Sequence, residues 1–543
     1  MRNAECGVGF FAMVADEYIG MVDVLFLGID LGTSRVKVGA YDRQGNQHGF
    51  AVAGSWSEIP WMSTSIRNDI EGDAEAWWRN TCQAIRETLH VVGTARVAGV
   101  CVGGQGPSLV AVDTDGRVVR PALMYDDSRA APEAAALSAR VGRTVSVRNS
   151  YLPRALWMRN HEPQAYAATR HFLQAWDFIV YRLTGTAAAT SPLGRHYTPW
   201  EGADVVAAGL DPGRFPPLVR TGERVGSVCG AAAAETGLPA GTPVIAGGGD
   251  FLLGTMGAAG AHQGVAQSQG GTTGAFTLCW DRPLEGDMIG WSIPSPVRPG
   301  LFNAGGPLTT GGAALDWLLG SVLQVSTSYE RALADAADVP AGAEGLLFFP
   351  YLAGEQLVLS QKARGVLLGL CLRHGARHLI RAVLEGVALA GRSIMEALVG
   401  AGGRVDEVVT YGGQACSALW NQIKADVWNR PVCIPRVLDV GCLGAAAIAA
   451  VGAGAYPALS DASEGMAQTG CRYLPDPGRA AVYDGVYGVY REIYPRTQDL
   501  FEKLEPLRER DAADCWECGM RNAECGERPQ RVLRVRERVE RGR

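Results

Sequence analysis

The chain has 543 residues, more than one hydrophobic core usually serves, so two domains are expected. Its net charge of −6 and the lack of any apolar run of membrane-spanning length predict neither nucleic acid nor a membrane as a partner. The thirteen cysteines are scattered, mostly in apolar segments, which favours reduced thiols and a cytoplasmic location over a disulfide framework.

The first predicted element is a hairpin near the start of the chain. Residues 24–30 form a short apolar run typical of a buried strand, and residues 35–41 alternate polar and apolar side chains like a returning strand. The tip between them brings together backbone amides, hydroxyls and a carboxylate. Such a tip can hold a phosphate through Gly32, Thr33 and Ser34, with Lys37 nearby, while Asp30 holds Mg²⁺ through water. An ordinary tight turn is the alternative.

A cluster of polar residues follows in the first half. Residues 71–90 have helical spacing, and residues 97–102 form a buried strand that runs into a glycine-rich turn. Residues 121–129 then place alternate polar side chains at a strand end. A polyol could be bound there by Gln105, Tyr125, Asp127 and Arg129. The alternative is a surface ion pair between Asp127 and Arg129.

The next segments lead to a carboxylate. Helices are expected at residues 155–160 and 172–183, and the loop 238–243 marks a domain boundary. An apolar strand then runs into three glycines and Asp250. Because open α/β sheets place their chemistry at strand ends, Asp250 is a candidate catalytic residue. A simple helix cap is the alternative.

The second half repeats the hairpin of the first. Strands at residues 265–268 and 276–279 flank the tip Gly270-Gly-Thr-Thr-Gly274. Two such tips, one in each domain, could face each other and hold one polyphosphate between them. The repeat therefore predicts a duplicated, two-lobed ATP-binding fold.

The last elements contain a second glycine turn. A long helix is predicted at residues 378–399, then a strand at 408–411 that ends in Gly412 and Gly413. These glycines would let the backbone approach a flat ring such as adenine, with Asn421 nearby. A plain strand-to-helix turn explains the same residues.

Taken in order, these motifs identify the chain as similar to the FGGY family of carbohydrate kinases, and to its xylulokinase-like members in particular. The resemblance covers roughly residues 24–506. Its motifs include Gly28-Ile-Asp-Leu-Gly-Thr-Ser34, Pro121-Ala-Leu-Met-Tyr-Asp-Asp-Ser-Arg129 and Gly247-Gly-Gly-Asp250. The most specific one runs from Gly365-Val-Leu-Leu-Gly-Leu370 to Ala382-Val-Leu-Glu385.

The resemblance implies an α/β, two-domain actin/hexokinase-like ATPase fold (ribonuclease H-like) with an interdomain cleft. It implies a sugar-binding domain at residues 24–244 and a nucleotide-binding domain at 245–506, between an N-terminal extension (1–23) and a charged, disordered tail (507–543). ATP and Mg²⁺ are the implied cofactors, and a homodimer is compatible with it. Asp250 matches the general base and Asp30 the metal-linked residue. The nucleotide-binding residues are expected to be Gly32, Thr33, Ser34, Lys37, Gly271, Thr272, Thr273, Gly311, Gly412, Gly413, Gln414 and Asn421.

The predicted function is ATP-dependent phosphorylation of a sugar hydroxyl, with a ketopentose such as D-xylulose as acceptor. Xylulokinase-like members usually have Met-His after the glutamine at position 105, whereas this chain has Gly106-Pro107, which leaves the sugar open. A kinase for glycerol or another ketose and a non-catalytic nucleotide-binding sensor are the alternatives. A Rossmann dehydrogenase is excluded, because no G-x-G-x-x-G follows the first strand.

Overall fold

The structure is a computed structural model that describes residues 24–33, 35–54, 70–94, 96–191, 199–325, 328–355 and 362–524, with side chains as far as residue 506. The predicted N-terminal extension, Ser34 and the end of the predicted tail lie outside the described residues.

The strands and helices are numbered in chain order. The strands are β1 Leu25–Leu31, β2 Val36–Tyr41, β3 Gln47–Ala53, β4 Glu71–Gly72, β5 Val97–Gly104, β6 Leu109–Val112, β7 Ala122–Leu123, β8 His171–Gln174, β9 Ala189–Thr190, β10 Leu218–Val219, β11 Arg224–Ser227, β12 Pro243–Gly249, β13 Val265–Gly270, β14 Gly274–Trp280, β15 Trp291–Pro294, β16 Phe302–Leu308, β17 Leu347–Phe349, β18 Val366–Leu368, β19 Glu407–Tyr411, β20 Val432–Pro435 and β21 Thr469–Tyr473. The helices are α1 Ala74–Val92, α2 Ala131–Val141, α3 Leu152–His161, α4 Pro163–Ala168, α5 Ala175–Thr184, α6 Gly202–Ala207, α7 Gly230–Thr236, α8 Asp250–Gly257, α9 Ala313–Trp317, α10 Tyr329–Ala337, α11 Ala376–Gly400, α12 Ala418–Trp428, α13 Val440–Gly452, α14 Leu459–Met466 and α15 Pro477–Glu524.

The first sheet has the strand order β11–β12–β5–β1–β2–β3. Strands β1 and β2 form the predicted antiparallel hairpin, while β5 runs parallel to both β1 and β12. Successive side chains of β1 enter two different cores: Leu25 and Leu27 pack in the cluster that includes α1, and Phe26 packs in the cluster that includes α13. The sheet is therefore covered by helices on both faces, and its apolar strands are buried.

The second sheet repeats this arrangement in the order β15–β16–β14–β13–β19–β20–β21. Strands β13 and β14 form an antiparallel hairpin, and β13 runs parallel to β19. Helix α11 packs against β14 and β16 over a core that includes Phe276, Leu384 and Trp428. The prediction that a strand, a Gly/Thr tip and a returning strand occur once in each half is confirmed.

The domain boundary predicted after residue 244 falls inside strand β12 of the first sheet. Strand β12 continues past that point and pairs with β5 as far as Gly249. Helix α13, far along the chain, also packs against β1 and β5 of the first sheet. The pairing and the packing thus extend the first unit to Gly249 and add helix α13, which comes after most of the second sheet in the chain.

Two predicted segments differ from the structure. The helix expected at residues 172–183 is a strand and then a helix, because β8 pairs with β6 before α5 begins at Ala175. Helix α15 continues to Glu524, past residue 507 where the disordered tail was expected to begin. Among the described residues, no helix combines the length and apolar character needed to cross a bilayer.

A buried lysine lies in the second core. Lys424 on α12 is 1% exposed, and its Nζ has no hydrogen-bond partner among the described residues. The Nζ atom lies 5.5 Å from the ring centroid of Trp420 and 5.9 Å from that of Trp428. Burial lowers the pKa of Lys424 from 10.5 to about 7, because the charged form is poorly solvated there.

We expect Lys424→Met to raise the stability of the protein, and to raise it more at pH 6 than at pH 9. In the folded protein the lysine loses its proton near pH 7, while in the unfolded chain it keeps the proton to about pH 10. The unfolded state therefore binds more protons between these values, so the wild type gains stability as the pH rises and the advantage of methionine shrinks. Melting temperatures of both proteins at the two pH values measure this.

The exposed Lys503→Met is the matched control and should change the melting temperature little at either pH. A Lys424→Met protein that is less stable than the wild type, or whose gain is the same at both pH values, would contradict the prediction.

Candidate functional site

A cleft of about 1820 Å³ lies between the two sheets, and both hairpin tips line it. Thr33 comes from the first tip, Thr272 and Thr273 come from the second, and Asp250 lies between them at the end of β12. The predicted site residues that line the cleft are Asp30, Gly32, Thr33, Lys37, Tyr125, Asp250, Gly271, Thr272, Thr273, Gly412, Gly413 and Gln414. The two tips thus open onto one common space.

Asp250 is the first residue of α8 and is accessible to solvent within the cleft. A close backbone contact requires glycine at position 247, since an ideal Cβ there would lie 2.0 Å from the carbonyl oxygen of Val102. The backbone N–H of Phe251 donates to Oδ1 of Asp250 at 2.7 Å. Although the carboxylate reaches solvent, the surrounding cleft walls desolvate it and raise its pKa, an effect that exceeds the opposing hydrogen bonds.

Asp30 is a second carboxylate at the same end of the cleft, on β1. Burial raises its pKa from 3.8 to about 6; Lys37 lowers this pKa, and the negative charges of Asp250 and Asp439 raise it. Two carboxylates that interact electrostatically favour a cation between or beside them. Carboxylate oxygens are also the ligands by which Mg²⁺ is usually attached to a protein, together with waters and phosphate oxygens. These residues therefore fit a Mg²⁺ ion carried in with a phosphate.

The position of Asp30 is fixed by the start of α13. An ideal Cβ on Gly441 would lie 2.6 Å from Oδ2 of Asp30, so the carboxylate is packed directly against that turn of the helix. The Nζ atom of Lys37 donates to Oδ1 of Asp439 at 2.6 Å, which links the first hairpin to the residue before the helix. The first turn of α13 therefore fixes the position of Asp30.

The residues just before α9 hold the second tip through backbone hydrogen bonds. The backbone N–H groups of Gly311 and Gly312 donate to the carbonyl oxygens of Thr272 and Gly271, at 3.0 and 2.8 Å. Gly412 has a φ of 85°, and an ideal Cβ on it would lie 2.8 Å from the carbonyl oxygen of Gly270, so only glycine suits this turn. Gly311 supports the tip from outside the lining, while Gly412 and Gly413 line the cleft.

Tyr125 faces the cleft, but three other predicted sugar contacts lie behind the wall. Its hydroxyl hydrogen-bonds to Thr33, and burial raises the pKa of Tyr125 to about 12. Gln105 is 5% exposed and accepts a hydrogen bond from Ser108. Asp127 is buried and pairs with Arg129, with Nη2 and Oδ2 2.7 Å apart. The structure thus brings Asp127 and Arg129 together as an ion pair, but the Asp127 carboxylate is buried and the pair is not the surface pair given as the alternative. Neither residue lines the cleft.

Asn421 is also set back from the cleft. It is 1% exposed, and its Nδ2 donates to the carbonyl oxygen of Ala415 at 2.8 Å. This bond stabilises the turn that follows β19. A direct contact of Asn421 with adenosine stays a prediction.

The cleft has lining residues that the sequence analysis did not single out. Near Tyr125 these are Glu71, Asp126, Arg148 and Asn149, and near the second tip they are Asp316, Tyr329, Glu330 and Trp420. Asp126 could have been found, because it lies next to Tyr125 in a quoted motif. Arg148 and Asn149 lie in a segment with no local signal, and only the fold brings them to the cleft.

Comparison with known proteins gives matches over most of the chain. The models of the N-terminal and C-terminal domains of the FGGY family of carbohydrate kinases match residues 25–257 and 268–453. The chain is 30% identical to the xylulose kinase of Bacillus subtilis (strain 168), over 89% of this chain and 99% of the relative. It is 28% identical to the autoinducer-2 kinase of Yersinia pestis (strain Pestoides F), over 86% and 93%.

A solved structure gives the same result for the fold. The crystal structure of xylulose kinase from Rhodospirillum rubrum aligns with a TM-score of 0.73 and 28% identity, over 88% of this chain and all of that one. The predicted α/β, two-domain actin/hexokinase-like ATPase fold with an interdomain cleft is thereby confirmed.

We expect Gly441→Ala to weaken binding of Mg-ATP by roughly 10-fold, because the new methyl group displaces the Asp30 carboxylate. Isothermal titration calorimetry with Mg-ATP measures the change. Gly485→Ala, on helix α15, is the matched control, since an ideal Cβ on Gly485 meets no atom within 4 Å and the residue does not line the cleft. Equal affinities for the two variants would show that Asp30 does not need this packing.

Proposed function

Since this chain belongs to the FGGY family of carbohydrate kinases, we propose that it transfers the γ-phosphate of ATP to a hydroxyl of a ketopentose such as D-xylulose, with Asp250 as the general base. The observation that carries the proposal is the convergence of Asp250 and the two threonine-bearing tips on one cleft.

Asp250 would accept the proton of the acceptor hydroxyl as its oxygen attacks the γ-phosphorus. A sugar hydroxyl is a poor nucleophile at neutral pH, and a positioned base gives typically about 10²–10⁴-fold. The raised pKa of Asp250 makes the carboxylate a stronger base than an ordinary aspartate. The proton therefore moves to Oδ of Asp250 while the phosphoryl group leaves ADP.

The two tips would position the phosphates. Thr33 on one side and Thr272 and Thr273 on the other offer hydroxyl groups and backbone N–H groups to the cleft. Lys37 donates to Asp439, and the other N–H groups of its ammonium would be available to the phosphates. Phosphoryl transfer depends mainly on positioning and charge stabilisation, which is what two facing sets of donors supply.

Asp30 would hold the Mg²⁺ that accompanies ATP through water. When bound, this ion neutralises charge on the phosphate oxygens. Gly412, Gly413 and Gln414 lie on the other side of the second tip, where the absence of a side chain at two positions leaves room for the adenosine.

A different sugar or polyol is the second candidate acceptor, because the wall at Gly106 and Pro107 carries no side-chain hydrogen-bond donor or acceptor. A relative named autoinducer-2 kinase matches over most of the chain as well. Acceptor selection at this wall would then rest on Tyr125, Asp126, Arg148 and Asn149, which line the same end of the cleft.

A coupled assay of ADP release with Mg-ATP and a panel of ketoses, aldoses and polyols tests the proposal. Turnover with D-xylulose supports the ketopentose assignment. Turnover with another compound alone keeps the kinase and changes its acceptor. Binding of Mg-ATP without turnover on any compound would favour a nucleotide-binding sensor.

We expect Asp250→Asn to lower kcat at least about 10²-fold and to leave the affinity for Mg-ATP within about threefold, because asparagine keeps the shape but cannot take the proton. Steady-state kinetics and calorimetry measure the two quantities. Asp113→Asn, in the turn between β6 and residue 118, is the matched control and should behave like the wild type. An Asp250→Asn enzyme that keeps more than about a tenth of the rate excludes this base.

We also expect kcat/KM to fall as the pH is lowered, with an apparent pKa above the ordinary aspartate value of 3.8. The base acts only when deprotonated, and the cleft raises the pKa of both Asp250 and Asp30. Because the two carboxylates interact, the apparent pKa of the pH profile belongs to Asp30 and Asp250 together and not to either residue alone. A rate that stays constant down to pH 4 in a protein that remains folded by circular dichroism would contradict this.

A further inference from the structure

The acceptor end of the cleft is built where two parallel strands end side by side. Gly103 and Gly104 of β5 are paired with Gly248 and Gly249 of β12. The chain after β5 continues to Gly106, and the chain after β12 continues to Asp250; both residues line the cleft. The position of Gly106 relative to Asp250 therefore decides how much room an acceptor has beside the base.

The indole of Trp176 lies behind both strand ends. An ideal Cβ on Gly106 would lie 2.7 Å from Cζ3 and 3.1 Å from Cη2 of Trp176, so the indole already touches the Gly106 backbone on the side away from the cleft. An ideal Cβ on Gly249, next to Asp250, would lie 3.9 Å from Cη2 of the same ring. Trp176 is 5% exposed and does not line the cleft itself.

Buried hydrogen bonds hold the start of helix α5, on which Trp176 lies. Nε2 of Gln174 donates to Oδ2 of Asp177 at 2.6 Å and to the carbonyl oxygen of Thr190 at 2.8 Å. The hydroxyl of Tyr151 donates to Oε1 of Gln174 at 2.7 Å. Residues 174 and 177 flank Trp176, and both are buried. The indole is thus fixed from behind and has little freedom to retreat.

We propose that Trp176 is a positioning residue that sets the location of the Gly106 wall and thereby limits the length of the acceptor. The proposal rests on the proposed function, since it takes the acceptor to lie beside Asp250. A side chain at position 106 that pushes against the indole should move the Gly106 wall toward the acceptor and narrow the acceptor site. Removing part of the indole should let the wall move back and deepen the site. Neither change touches the nucleotide side of the cleft, which is formed by the second tip and Gly412.

A double-mutant cycle between positions 106 and 176 tests this. Gly106→Ala should raise the KM for D-xylulose roughly 10-fold and leave the KM for ATP within about twofold, because the methyl group meets the indole and moves the wall into the acceptor site. In the double variant with Trp176→Phe, the smaller ring makes room for the methyl group, so the KM for D-xylulose should return most of the way to the wild-type value. The effects of the two substitutions on this KM are therefore strongly non-additive.

Trp176→Phe alone provides a second readout. The ratio of kcat/KM for D-fructose, a six-carbon ketose, to that for D-xylulose should rise several-fold, in keeping with the roughly 10-fold effect of a methylene-sized change in a pocket. This measurement remains decisive if Gly106→Ala does not fold. Gly465→Ala is the matched control, since its methyl group would also meet an aromatic ring, with an ideal Cβ 2.4 Å from the hydroxyl oxygen of Tyr456. Neither residue lines the cleft, so both KM values should stay unchanged.

Additive effects at positions 106 and 176, equal increases in both KM values, or an unchanged fructose-to-xylulose ratio would each overturn the proposal. These outcomes are separate from failure of the proposed function. If the wild type phosphorylates neither ketose, the ketopentose assignment fails; if it phosphorylates D-xylulose and the cycle is additive, only the role of Trp176 fails.

Discussion

The close approach of α13 to β1 is the constraint on which the site depends. An ideal Cβ on Gly28 would lie 1.8 Å from the carbonyl oxygen of Cys442, so the helix can lie on the strand only because residue 28 is glycine. That contact brings Gly441 against Asp30 and Asp439 within reach of Lys37. The charge and orientation of the carboxylate in the first tip thus depend on residues about 400 positions later in the chain.

The cleft is lined by the carboxylates of Asp30 and Asp250 and by the threonines of both hairpin tips. Asp30 and Asp250 have raised pKa values because burial and, for Asp30, neighbouring negative charge oppose ionisation. A magnesium–nucleotide complex would relieve this opposition with its cation and would use the donors of both tips for its phosphates. The same arrangement therefore favours binding of the substrate complex.

The sequence predicted features that depend on local pattern. Both hairpins, the strand before Asp250 and the helix at residues 378–399 are set by apolar periodicity and glycine turns, and the structure has all of them. Features that depend on distant partners could not be predicted. The strand His171–Gln174 is fixed by pairing with β6, and Arg148 reaches the cleft through the fold alone. The contact of Trp176 with Gly106 likewise joins segments that show no common pattern.

The late position of α13 in the chain has a consequence for biosynthesis. The first sheet is complete once β12 has left the ribosome, yet Phe26 and Ile245 lack their helical cover until α13 is made. At typical elongation rates this interval lasts roughly 10–40 s. During it, the first half must carry an uncovered apolar face while every strand of the second sheet except β21 is being synthesised. The nascent first half is thus a candidate chaperone client, and its folding is completed by the same helix that orients Asp30.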